Sequence, residues 1–166
     1  MNFKTTLLAA AAALILTPAA AMAATEHYPL QVTVEATVPS ALGLQISPVG
    51  DWANMVQNMR WNIATQRLDP IRQQIDMKSG LGAINAYLTA DSTMASAGNT
   101  IDLAVAVAGK TLEVGAANAV EVASTTEAAA STRAAVTITA AAPEAGGYVH
   151  GTYQGNIFMM FESGTP

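Results

Sequence analysis

Apolar and polar residues alternate strictly from Leu30 to Val38. Leu30, Val32, Val34, Ala36 and Val38 hold the even positions, and Gln31, Thr33, Glu35 and Thr37 lie between them. A period of two predicts a β-strand with one apolar and one polar face. Pro39 ends it, and Leu42, Leu44 and Ile46 resume the alternation up to Pro48, which predicts a second strand. Residues 49–70 carry Trp52, Met55, Met59, Trp61 and Ile63 among Asn and Gln, without a clear period, until Asp69-Pro70 punctuates the chain. Ile71, Ile75 and Met77 then share odd positions, and Ile84, Ala86 and Leu88 share even ones, on either side of Ser79-Gly80. They predict two strands, although the Ala and Met of 81–97 also permit a short helix.

Ile101, Leu103, Val105 and Val107 alternate again, and Gly109-Lys110 separates them from Thr111-Leu112-Glu113-Val114. Gly109 as the first central residue predicts a hairpin turn of the II′ type. Residues 115–135 are rich in Ala, Ser, Thr and Glu; they read mostly as loop and strand edges, with helix allowed by propensity around Glu127 to Ala135. Val136 and Ile138, between Thr137 and Thr139, predict a strand because β-branched side chains suit a pleated surface. The last segment, Tyr153 to Phe161, is apolar on both faces: Ile157, Met159 and Phe161 on one, Phe158 and Met160 on the other. It reads as a strand covered on both sides, or as a central strand of a sandwich. About eight short strands, with turn signals roughly every ten residues, predict an all-β, immunoglobulin-like antiparallel β-sandwich.

The first 23 residues change the picture of where this sandwich works. Lys4, an apolar Leu7 to Leu16 stretch and the small residues around Ala21-Met22-Ala23 have the order of a secretory signal. The apolar run is half the roughly 20 residues needed to cross a bilayer. Residues 1–23 are therefore expected to be removed, which puts the alternating strand close to the new N-terminus. Residues 24–38 then form an extension, and 39–166 a single domain.

Residues 24–166 hold six basic and twelve acidic side chains, because Lys4 is the one basic residue of the leader. That balance disfavours nucleic acid and anionic lipid as partners. The chain has no cysteine, so an exported fold of this kind is held by packing and strand pairing. Aromatic residues make up 5% of the chain and Ala is abundant, so the core is built from small side chains that contribute less per residue than Leu or Phe. Stability drawn from contacts between copies would offset this.

The search for catalytic chemistry finds no Gly-rich phosphate loop, nucleophile elbow or His-Glu-x-x-His helix. His27 and His150 are the two histidines, and the carboxylates are dispersed without a pairing that implies acid and base roles. No enzyme activity, metal or cofactor is expected. Tyr148 and Tyr153 could stack on a sugar, but tyrosines near strand starts more often pack.

Three stretches carry a resemblance. Val32-Thr33-Val34-Glu35-Ala36-Thr37-Val38-Pro39 leads to Leu42 and Leu44. Val107-Ala108-Gly109-Lys110-Thr111-Leu112 follows, and then Ala142-Pro143-Glu144-Ala145-Gly146 through Gly151-Thr152-Tyr153-Gln154-Gly155-Asn156-Ile157. In order and spacing the set resembles the major subunits of CS1 type fimbriae, which include the colonisation factor and cable pilins. The chain departs from that pattern in lacking Thr-Asn-Asp near Ile75 to Lys78. It also offers both Tyr148 and Tyr153 for the family's tyrosine; Tyr153, followed directly by Gly155 and the apolar strand, fits better.

The resemblance implies an incomplete sandwich completed by donor-strand exchange. Leu30, Val32, Val34, Ala36 and Val38 would enter a neighbouring subunit, while Tyr153, Gly155, Ile157, Met159 and Phe161 would form the C-terminal strand that lines the acceptor groove or meets a chaperone. Implied partners are identical subunits, a periplasmic chaperone, an outer-membrane usher and a tip adhesin, on a route through the periplasm to a fimbrium at the cell surface. The pattern supplies a physical reason: nine residues at roughly 3.3 Å each extend about 30 Å, enough to cross a sandwich. Burying the apolar row would contribute on the order of 6 to 12 kcal/mol before ordering costs. Two alternatives stand beside this reading. Leu30 to Val38 could pair within its own domain, giving a secreted monomeric sandwich. Loops bearing Trp52, Trp61 or Tyr148 could instead make the protein a binding module for sugar or protein, which a large apolar pocket would favour.

Overall fold

The computed structural model describes residues 42–144 and 146–164, so the leader 1–23 and the strand expected over Leu30–Val38 lie outside the described residues. In chain order the strands are β1 (Gln45–Pro48), β2 (Trp61–Asn62), β3 (Arg67–Leu68), β4 (Ile71–Lys78), β5 (Ile84–Leu88), β6 (Thr93–Ser96), β7 (Asn99–Val107), β8 (Lys110–Thr111), β9 (Val120–Ala123), β10 (Thr132–Ala140) and β11 (Met159–Ser163). Among the described residues there is one α-helix, α1 (Thr125–Ala130), between β9 and β10, and two 3-10 turns, Trp52–Asn54 and Ala116–Asn118.

Two antiparallel sheets make the sandwich, which is of immunoglobulin-like type. The larger runs β1-β4-β10-β7-β6, with β8 also on β7, and the smaller runs β11-β5-β9. Alternation decides what each strand turns inward. Ile75 and Met77 of β4, Ile84, Ala86 and Leu88 of β5, Val105 and Val107 of β7, and Ala134 and Val136 of β10 are buried in one cluster between the sheets. The helix permitted over 81–97 does not form. Cross-strand packing on both sides of β5 outweighs the mild helical preference of Ala, and the same stretch yields β6, which had no sequence signal of its own.

Turn chemistry differs from expectation in one hairpin. Val107 pairs with Lys110, so the central residues are Ala108 and Gly109, with φ of 50° and 76°. Two positive φ values make a turn of the I′ kind with Gly second, where II′ with Gly first was expected. Ala97 and Gly98 repeat the arrangement between β6 and β7, with φ of 45° and 87°.

Residues 115–135 are also more ordered than their composition suggests. Ser124 caps α1 and accepts from the Glu127 backbone N–H, while the Glu127 carboxylate accepts from the Ser124 N–H at 2.8 Å. This reciprocal Ser-x-x-Glu box stops β9 and starts the helix. Ala128 is wholly buried, and its carbonyl accepts from Ser79 N–H, tying the helix to the end of β4. The strand predicted around Val136 begins earlier, at Thr132, in register with Met77.

Candidate functional site

The C-terminal segment does not run as a single covered strand. Its ladder with β5 covers Met159–Ser163, with Met159 opposite Leu88 and Ser163 opposite Ile84. Before that, Thr89 N–H donates to Phe158 O at 3.0 Å, and Gln154 exchanges backbone hydrogen bonds with Ala95 of β6 at 2.9 and 3.1 Å. Residues 154–163 thus follow the chain 84–95 as it passes from the smaller sheet to the larger, and the segment bends with it. The expectation of cover on both faces is corrected accordingly. Met159 and Phe161 point inward and are half-buried against the core, whereas Phe158 and Met160 are 56% and 45% exposed. In a two-layer sandwich each strand turns one face to the core and the other outward.

Among the described strands, β11 has a neighbour on one side, β5, and β1 likewise has β4. Both edges meet the loop between β4 and β5. Gly80 N–H donates to Leu42 O at 2.9 Å, just before β1. At the end of β11, Ser163 Oγ lies 2.6 Å from Ser79 Oγ and donates to Gly82 O at 3.2 Å. Leu44 and Ile46 near β1, with Ile157, Met159 and Phe161 near β11, pack on the core yet stay partly exposed. An edge with such incompletely covered apolar side chains is what a further strand can pair with, since ladder bonds supply affinity and alternate side chains supply fit. The part of β1 in this arrangement went unread in the sequence, although its alternation signalled the strand. The Ser79–Ser163 bond had no sequence signal, because its partners are 84 residues apart.

The five C-terminal residues singled out from the sequence divide into two places. Ile157, Met159 and Phe161 belong to the inward row. Gly155 lies against β6: a Cβ there would come within 2.0 Å of Thr93 O and 3.0 Å of Met94 Cα, so the close approach requires Gly. Tyr153 is half-buried, and its hydroxyl donates to Val149 O at 2.9 Å. The Tyr148 hydroxyl donates to Ala141 O. Both tyrosines therefore brace the 141–158 connection. The donor-strand residues Leu30, Val32, Val34, Ala36 and Val38 lie outside the described residues.

The aromatic residues of the competing reading are also committed. Trp52 packs on the core, and its Nε1 donates to Gln74 O at 2.9 Å. Trp61 meets Tyr148 edge to face, with ring centroids 6.0 Å apart. Two surface depressions lie in this part of the chain, neither lined by a Trp. One, of about 480 Å³, is lined by residues including Asn62, Arg67 and Asp69. The other, of about 320 Å³, includes Asp102, Tyr148 and Tyr153. Neither is a large apolar pocket.

Two carboxyls of the described residues are held by contacts within the fold. Arg133 Nε and Nη2 donate to the two Asp76 oxygens at 2.7 and 2.9 Å across the β4–β10 pair, and this guanidinium holds the Asp76 carboxyl below its ordinary value. Hydrogen bonds from Ser124 do the same for Glu127. No His, Asp or Glu cluster suited to a metal occurs among the described residues.

A family model, CS1 type fimbrial major subunit, matches residues 28–162. Among curated proteins no relative matches the chain. Of solved structures, the CooA pilin subunit from enterotoxigenic Escherichia coli is similar in fold, with a TM-score of 0.56 and 15% identity; the match covers 72% of this chain and 88% of that one. The match to the family model spans most of the chain, and the chain belongs to the CS1 type fimbrial major subunit family.

Proposed function

We propose that the chain is the repeating subunit of a fimbria and that it polymerises by lending its N-terminal strand, Leu30–Val38, to a neighbour. The observation that carries this is the pair of edges at one loop: β1 and β11 both reach Ser79–Gly82, and both bear inward side chains that the core covers only in part. Five apolar residues at alternate positions, Leu30 to Val38, match that need in chemistry. The remaining steps follow from the same reading. Residues 1–23 are removed on export, a periplasmic chaperone guards the apolar edge until an outer-membrane usher orders the exchange, a tip adhesin heads the polymer, and the fimbrium supports adhesion.

The test is assembly. Wild-type fimbriae should give ladders that resist detergent and collapse on boiling, and Val32→Asp with Val34→Asp should abolish them. A purified monomer that keeps its melting temperature after deletion of 24–38 would show that the strand completes no sandwich, and the proposal would be wrong.

A further inference from the structure

The connection between β1 and β4 exposes more apolar surface than its own fold uses. Met55, Val56, Trp61 and Ile63 are 63%, 87%, 51% and 83% exposed. The same connection and the start of β4 carry Arg60, Arg67 and Arg72, three of the six basic residues of 24–166. All three are exposed, and none has a carboxylate partner among the described residues, where the ion pair is Arg133 with Asp76. The two acids of this stretch are already engaged: Asp51 accepts from Asn54 at 2.7 Å and Asp69 from Asn62 at 3.1 Å.

The outer face of the smaller sheet has the opposite character. Register places Met160 beside Tyr87, and Glu162, Asn85 and Glu121 in one row across β11, β5 and β9. Phe158 and Met160 are exposed, as are Glu121 and Glu162, and neither carboxylate faces a cation. Arg72 stands near the start of β4, whereas this acidic row follows the loop at its other end. The six residues of β4 beyond Arg72, Gln73 to Lys78, separate the two by about 20 Å at roughly 3.3 Å each. A molecule cannot bring its own strip onto its own face, but a second copy can.

We propose that identical subunits make a second contact, in which the Arg60–Arg72 strip of one copy docks on the outer β11-β5-β9 face of another. The proposal rests on the polymer reading, since a fimbria holds copies at high effective concentration. The contact is separate from strand exchange, because a strand added at an edge leaves the outer face uncovered. Its two patches differ, so it propagates along a polymer and does not close a dimer. A lipid surface fits less well, since a chain with twice as many acids as bases in 24–166 is repelled by anionic headgroups.

The absence of cysteine makes a direct test available. Fimbriae carrying both Ile63→Cys and Met160→Cys are oxidised, then boiled in detergent without reductant. Covalent multimers should persist in the double variant and be several-fold rarer in each single variant. Fimbriae that assemble at parental yield but cross-link no better than the single variants would overturn the contact while leaving strand exchange intact. No polymer from the parent chain would overturn both. If the cysteine chains do not assemble, Arg67→Glu is combined with Glu162→Arg: each alone should cut polymer yield several-fold and the pair should restore it, and failure to restore it overturns the contact. Binding of the parent chain to phosphatidylserine vesicles, lost in Arg67→Glu with no cross-linking, would reassign the strip to lipid and also overturn it.

Discussion

Gly155 and Gly146 lie nine positions apart and impose different demands. A Cβ at 155 meets the β6 backbone, which cannot swing aside as a flexible side chain would, while a Cβ at 146 meets nothing within 4 Å. Gly155→Ala should therefore destabilise by about 1 to 3 kcal/mol, as overpacking does, and Gly146→Ala should stay within about 0.5 kcal/mol of the parent, both read as shifts in urea midpoint. The same scale tests the facing of β11. Phe161→Ala removes a ring that packs on the core and should cost about 2 kcal/mol, below the range for a fully buried Phe because the ring is half-covered. Phe158→Ala removes an exposed ring and should cost less than about 0.5 kcal/mol. Equal losses would mean that the segment does not turn Phe161 inward and Phe158 outward.

At the scale of an element, α1 shows how a six-residue helix persists. It is far shorter than isolated helices that survive in water, so its stability comes from the Ser124–Glu127 box and from burial of Ala128. Ser124→Ala should cost about 1 kcal/mol in thermal or urea unfolding. Acid acts on the same box. The folded carboxyls of Glu127 and Asp76 sit below their ordinary values of 4.5 and 3.8, so the unfolded chain takes up their protons first. Their contribution is complete above those values and is lost as pH falls through the lower folded ones. The melting temperature should drop below about pH 4.5 and fall less steeply in Glu127→Gln, which has no proton to take up at that site. A steeper fall in the variant would contradict the assignment.

The whole molecule is organised around which strands end up at an edge. β5 and β10 have neighbours on both sides, and their buried residues are wholly enclosed; β1 and β11 have one neighbour each among the described strands, and their inward residues are half-covered. If a strand from another copy supplies the missing cover, Met159→Asp should act like charges on the donor strand. It should stop polymer formation by leaving a desolvated carboxylate in the seam, while the monomer keeps its far-ultraviolet circular dichroism. Polymer formed at the parental rate by Met159→Asp would remove β11 from the seam.

Much of the sandwich was legible because side-chain direction in a strand is local. Ile71 to Met77, Ile84 to Leu88 and Ile101 to Val107 alternate in sequence and alternate in burial, since a period of two needs no knowledge of the partner strand. The Ser-x-x-Glu box at 124–127 is equally local, and it starts α1 just before the stretch from Glu127 where propensity allows helix. What the chain could not reveal alone were properties of the pairing. β6 has no alternating signal and exists because β7 folds back on it through a tight turn. Tyr153 to Phe161 looks apolar on both faces, yet it is divided between two sheets and forms an edge in the smaller one. The meeting of β1 and β11 at one loop joins residues as far apart as Ser79 and Ser163. Sequence by itself determined which side chains each strand turns inward; tertiary structure decided which of those remain half-covered, because edge status depends on contacts made across the whole chain.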